Sequence, residues 1–246
     1  MQSRTPFLTA RWENLVLLNF EADASLLESR VPPGTELDAW QGTCIVSLVG
    51  FQFVDTRVAG IPIPCHRTFE EVNLRFYVLR RMPDGSSRRG VVFIKELVPR
   101  RAIAALARIR YNEPYIAVPM GHQIELSADS GGAVAYSWVH RGSRHRLSAT
   151  VEGGAKPLTP GSEAEFITEH YWGYCRQRDG DTLEYQVEHP RWRVWTAVTS
   201  AYSSPPESRL YAPEFAEILS QRPRSALVAP GSEVMVFAGR RIRNGA

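Results

Sequence analysis

Lysine is scarce in this chain of 246 residues: Lys95 and Lys156 are the only two, so nearly all of the positive charge is arginine. The net charge is only +3, and the arginines come in short groups (Arg88 and Arg89, Arg100 and Arg101, Arg144 and Arg146, Arg240 and Arg241) instead of one long run. That distribution argues against a nucleic-acid footprint and for solvated faces. Cysteine is scarce too. Cys44, Cys65 and Cys175 are an odd number at wide spacing, which excludes a disulfide framework and reads as reduced thiols inside a cell. The first apolar run, residues 15–18, is far shorter than a signal-peptide core or the roughly 20 residues of a membrane span. A cytoplasmic protein that binds neither membrane nor nucleic acid is expected.

Familiar catalytic signatures are missing as well. There is no glycine-rich nucleotide loop, no HExxH and no GxSxG. The histidines at 66, 122, 140, 145, 170 and 189 form no close HxH pair, so neither a metal nor another cofactor is expected.

What is present is β structure. The composition, 43% hydrophobic and 22% charged, suits a packed globular core, and glycines and prolines punctuate short β-type runs. One domain over residues 1–246 is expected, mostly antiparallel β with two or three short helices. Strands are read over residues 15–20 and 44–53, and a hairpin joins 69–81 to 90–97 through Pro83-Asp84-Gly85. Helices are read over 24–30, capped by Asp23 and stopped by Pro32 and Pro33, and from Pro99 to about Arg110, with Ile103, Leu106, Ala107 and Arg110 on one face. Another starts at Pro213 and buries Phe215, Ile218 and Leu219.

Two further hairpins take their register from their turns. Gly142-Ser143 as the central pair sets Trp138 opposite Leu147, Tyr136 opposite Ala149 and Val134 opposite Val151. Asp179-Gly180 sets Tyr174 opposite Tyr185, Trp172 opposite Val187 and His170 opposite His189. Lys95 shares a strand face with Val91, Phe93 and Leu97, where a desolvated amine attacks carbonyls. The ordinary alternative is an amine that extends to water.

The most informative segment is residues 69–78. Alternation puts Val72, Leu74, Phe76 and Val78 on one face and Glu71, Asn73, Arg75 and Tyr77 on the other. The polar face either meets solvent or, in a barrel, lines a cavity.

Five segments, Phe7-Leu8-Thr9-Ala10-Arg11-Trp12, residues 31–38, residues 69–78, Tyr111-Asn112-Glu113-Pro114-Tyr115 and Glu169-His170-Tyr171-Trp172-Gly173-Tyr174, together resemble the YqjF-like family of uncharacterised proteins, domain of unknown function 2071. That family resembles, remotely, acetoacetate decarboxylase. The resemblance implies a β barrel or cone around a central cavity, with Glu71 as the cavity glutamate and catalytic candidate. The decarboxylase's nucleophilic lysine has no counterpart, since this chain has Glu113-Pro114-Tyr115-Ile116 there; a Schiff-base decarboxylase is therefore not expected. The decarboxylase's arginine near the first strand is matched by Arg11, about two residues out of register.

The expected function is an internal pocket for a small organic acid or carbonyl compound, binding or catalytic. Glu71 would supply acid/base chemistry, Arg75 would hold an anion, and Asn73, Tyr111, Tyr115 and Arg11 would complete the ligand contacts. Glu71 is expected to contact Arg75, Asn73 or another cationic donor. The alternative is a non-catalytic interaction or scaffold protein whose polar strand face is solvated. Oligomeric state is left open.

Overall fold

In a computed structural model the structure describes residues 5–62 and 66–243, without the side chains of residues 106, 107, 109 and 110. Seven strands close on themselves in the spatial order Leu8–Ala22, Cys44–Val58, Phe69–Arg81, Ser87–Val98, Trp172–Arg176, Thr182–Glu188 and Ser225–Val236, which returns to the first. Closure removes the exposed edges that an open sheet would present. All of these pairings are antiparallel except one short parallel contact, Trp172 and Gly173 against Gly90 and Val91. The ring is sealed by Val187 and Glu188 pairing with Val236 and Met235.

A second sheet of four strands, in the order Thr199–Ser203, Ser143–Glu152, Gly131–His140 and Met120–Ser127, packs on the outside. Alternation gives the ring strands an apolar outward face and, over much of the ring, an apolar inward one. Val16, Leu18, Leu48, Val72, Leu74 and Phe76 bury against Val134, Tyr136, Trp138 and Leu147 of the outer sheet. Leu15, Leu17, Ile45, Val49, Phe51 and Tyr77 form the core inside the ring. A strand buried on both faces reads as a continuous apolar run, which is why the first strand looks shorter in sequence than its 15 residues.

Helices cover Ala24–Glu28, Arg101–Tyr111, Glu163–Thr168 and Pro213–Ser220, four among the described residues where two or three are expected. Asp23 caps the first by accepting from the Ser25 N–H. The last begins on Pro213 and buries Phe215, Ile218 and Leu219, as read. For the helix at Arg101–Tyr111, Ile103 is half-buried, and the expected partners Leu106, Ala107 and Arg110 lie outside the described side chains. The unanticipated helix carries a capping signal: Ser162 accepts from Glu165 N–H at 3.2 Å, and Glu165 accepts from Gly161 N–H at 2.7 Å.

Both hairpin registers differ from expectation. Arg141 and Gly142, with φ of 49° and 83°, form the tight turn, so Trp138 faces His145, Tyr136 faces Leu147 and Val134 faces Ala149. This slip of two leaves every side chain on its expected face. The other slip is of one. Gly180, at φ 89°, ends a three-residue loop closed by Gln177 N–H to Asp181 O at 2.8 Å, and Trp172 pairs with Gln186. His170 and His189 are therefore not cross-strand partners.

Cys44 and Cys175 are buried free thiols, while Cys65 lies outside the described residues. Among the described residues no helix is long and apolar enough to cross a membrane.

Candidate functional site

The inner face of Phe69–Arg81 carries Glu71, Asn73, Arg75 and Tyr77. Glu71 is 3% exposed. Asn73 Nδ2 donates to its Oε1 at 3.0 Å, and Tyr115 Oη donates to its Oε2 at 2.9 Å. Of the partners expected for Glu71, Asn73 makes the contact and Arg75 makes no hydrogen bond to it; Tyr115 is the second donor, and the Arg75 guanidinium lies 5.7 Å from the Tyr77 ring centre. Arg75 Nε is buried without a hydrogen-bond partner.

Two further carboxyls reach the same interior, and neither is legible from alternation. Ser87–Val98 pairs regularly with its neighbour until the register shifts between Leu74 and Arg75: Arg75 faces Phe93, but Leu74 faces Lys95 and Asn73 faces Glu96. This bulge adds one residue at Ile94 and exchanges the faces beyond it. Lys95 and Leu97 are carried outward, opposite Leu74 and Val72, away from the Val91 and Phe93 face expected for them. Glu96 is carried inward and is 1% exposed. Glu113, 4% exposed, arrives from the segment after the Arg101–Tyr111 helix, and Tyr185 Oη donates to its Oε1 at 3.0 Å.

Burial raises all three carboxyls. Glu71 is pushed up to about 7, against the opposing pull of Asn73, Tyr115 and Arg75. Glu113 is pushed up to about 8 by burial, assisted by the Glu71 charge. Glu96 is held well above the usual carboxylate range by burial and by the Glu113 and Glu71 charges. The Tyr115 and Tyr185 hydroxyls, raised chiefly by burial, stay protonated and donate.

These groups border a cavity of about 170 Å³ whose remaining wall is largely aromatic, including Trp12, Phe53, Phe69, Phe93 and Trp192. A cavity of about 150 Å³ accommodates benzene, so the space suits a molecule of several heavy atoms. Among the described residues Arg75 is the only arginine or lysine on the wall, and Tyr111, Tyr115, His170 and His189 also border it. His189 stacks on Trp192, ring centres 4.2 Å apart.

Two expected site residues are placed elsewhere. Asn73 sits behind Glu71 and holds it without bordering the cavity. Arg11 is spent on the surface, where it pairs with Glu13 at 2.8 Å and Asp55 at 3.0 Å with 44% of its side chain exposed. Odd positions of Leu8–Ala22 before the irregularity at Asn14, with φ 57°, do not share the inward face of Leu15 and Leu17. No group of three or more His, Cys, Asp or Glu among the described residues is arranged to hold a metal ion.

Comparison with known proteins agrees with this architecture. An acetoacetate decarboxylase from Legionella pneumophila superposes with a TM-score of 0.68 over 99% of this chain and 90% of that one, at 13% identity. The enduracididine biosynthesis enzyme MppR, complexed with the condensation product of pyruvate and imidazole 4-carboxaldehyde, gives 0.67 over 98% and 92% at 15% identity. The likeness is of fold; of these two, MppR is the one described with a small ligand bound. In sequence, the uncharacterised protein YqjF of Bacillus subtilis (strain 168) is 26% identical over 194 residues, 76% of this chain and 74% of the relative. The profile of the uncharacterised conserved proteins known as domain of unknown function 2071 matches residues 9–233, so the chain belongs to that family.

Proposed function

We propose that the chain, acting as a single cytoplasmic domain, holds a small organic acid or carbonyl compound in this cavity, with Arg75 as the anion-binding group and Glu71 as the acid/base. The observation that carries the reading is Arg75: among the described residues the one permanent cation on a largely apolar and acidic wall, with a buried Nε–H left without a partner. A buried guanidinium donor without an acceptor is costly, and a ligand carboxylate would satisfy it. Glu71, at about 7, is divided between acid and carboxylate near neutral pH, the condition in which a group both gives and takes protons. The burial of Glu71 and Asn73 weighs against a scaffold with a solvated polar face. That MppR has been captured with pyruvate, a small keto acid, supports the ligand class.

The reading excludes imine chemistry at the decarboxylase position, because the family resemblance puts Tyr115, a donor to Glu71, where an amine would be needed. It is tested by thermal shift with pyruvate, acetoacetate, lactate and the neutral control acetamide. At least one acid should raise Tm where acetamide does not, and Arg75→Ala should abolish that rise while its circular dichroism matches the parent. Equal response to acids and acetamide, or an unchanged response in Arg75→Ala, would remove Arg75 from the reading.

A further inference from the structure

Two of the sequence segments singled out above meet beside the cavity in a way the proposed function leaves unused. Asp38 and His170 are 132 positions apart, yet His170 Nε2 lies 3.1 Å from Asp38 Oδ2, and both side chains are buried. Asp38 is fixed by its own backbone N–H, which donates to Tyr77 O at 3.0 Å, and by Arg89, whose Nε–H donates to Oδ2 at 2.7 Å. The imidazole is clamped between Tyr77 and Phe166, ring centres 4.6 and 5.1 Å away.

This arrangement sets the tautomer. Asp38, held below the usual range by its His170 and Arg89 partners against the penalty of burial, is a carboxylate and can only accept, so Nε2 carries the ring proton. The ring is neutral: burial, with the Arg89 and Arg75 charges, depresses it to about 4, although Asp38 pulls the other way. Nδ1 is then a bare lone pair, buried without a hydrogen-bond partner. Asp38, to which Nε2 turns, does not border the cavity, whereas His170 does, as does Arg75.

We propose that His170 is the cavity's fixed hydrogen-bond acceptor, oriented by Asp38, and that it selects acids bearing a proton donor beside the carboxylate, 2-hydroxy acids, over their keto counterparts. The proposal rests on the reading of the cavity as a small-acid site. With the carboxylate on Arg75, a 2-hydroxyl donates to Nδ1, whereas a keto oxygen sets one lone pair against another and leaves both unsatisfied. Sites built around such a hydrogen bond discriminate strongly against the analogue that lacks it.

The test is calorimetric binding of L-lactate and pyruvate to the full chain and to His170→Phe, with long-range proton–nitrogen NMR of the unliganded histidines. The parent should bind lactate at least about tenfold more tightly, His170→Phe should bring the two within about threefold, and Nδ1 of His170 should be the unprotonated nitrogen. Equal affinities in the parent, or a proton on Nδ1, overturn the selectivity while leaving the acid site standing. Binding of neither acid removes both. Should His170→Phe lose its fold, the parent's affinity ratio and tautomer decide the matter.

Discussion

A carboxyl group enclosed with two others cannot ionise as it would in water, because each added negative charge raises the cost of the next. That is the condition of Glu71, Glu96 and Glu113. The residue at which the sequence is most readable is Glu71, since it lies on a strand whose alternation is unbroken; Arg75 follows from the same alternation. Glu96 was hidden because its inward direction depends on a bulge that no residue type announces, and Glu113 because a loop residue has no periodicity. The same bulge removes Lys95 from the inner face, and Lys156 lies on the exposed Lys156–Pro157 strand. Incubation with acetoacetate and borohydride followed by mass spectrometry should therefore leave both lysines unmodified. An adduct on Lys95 would restore it as a nucleophile.

At the scale of elements, turns decide what side chains can do. The Arg141-Gly142 turn moved its hairpin by two and changed no face, whereas the loop ending at Gly180 moved its hairpin by one and separated His170 from His189. Both turns contain the glycine seen in the sequence, but the number of residues between the last paired positions is set by how each strand docks on its neighbours. Gly173, in the same hairpin, has a role that the sequence only hints at: a Cβ there would lie 2.1 Å from Tyr185 Cζ and 2.4 Å from its hydroxyl. Gly173→Ala should push Tyr185 off Glu113 and lower stability by about 1–3 kcal/mol, read as a reduced urea midpoint. An unchanged midpoint would mean that the ring yields without cost. The helix at Glu163–Thr168, by contrast, was announced by Ser162 and Glu165 and is recoverable from the capping pattern alone.

For the whole molecule, the buried acids tie folding to pH. In the unfolded chain these groups titrate near 4.5, and in the folded one Glu71 does so at about 7 and Glu113 at about 8. Between those values these carboxyls bind more protons in the folded state and lower stability as pH rises, by on the order of a few kcal/mol; up to about pH 6.5 the buried His145 and His170, both depressed to about 4, oppose that fall, which is therefore clearest above pH 6.5. Below those values, Asp38 and Glu184, both depressed in the folded state, reverse the slope. Urea midpoints should decline from pH 6.5 to pH 9, less steeply in Glu113→Gln; a rise over that range would contradict the raised values. The amino-acid sequence by itself determined the local quantities: β structure, three of the helices, the two faces of residues 69–78, and the line of Glu71 and Arg75, because each depends on neighbours within a few residues. Closure of the ring, the inward turn of Glu96, the meeting of Asp38 with His170 and the loss of Arg11 to the surface were decided only by tertiary structure. Each depends on register between strands distant in the chain, and register is fixed by packing across the whole ring.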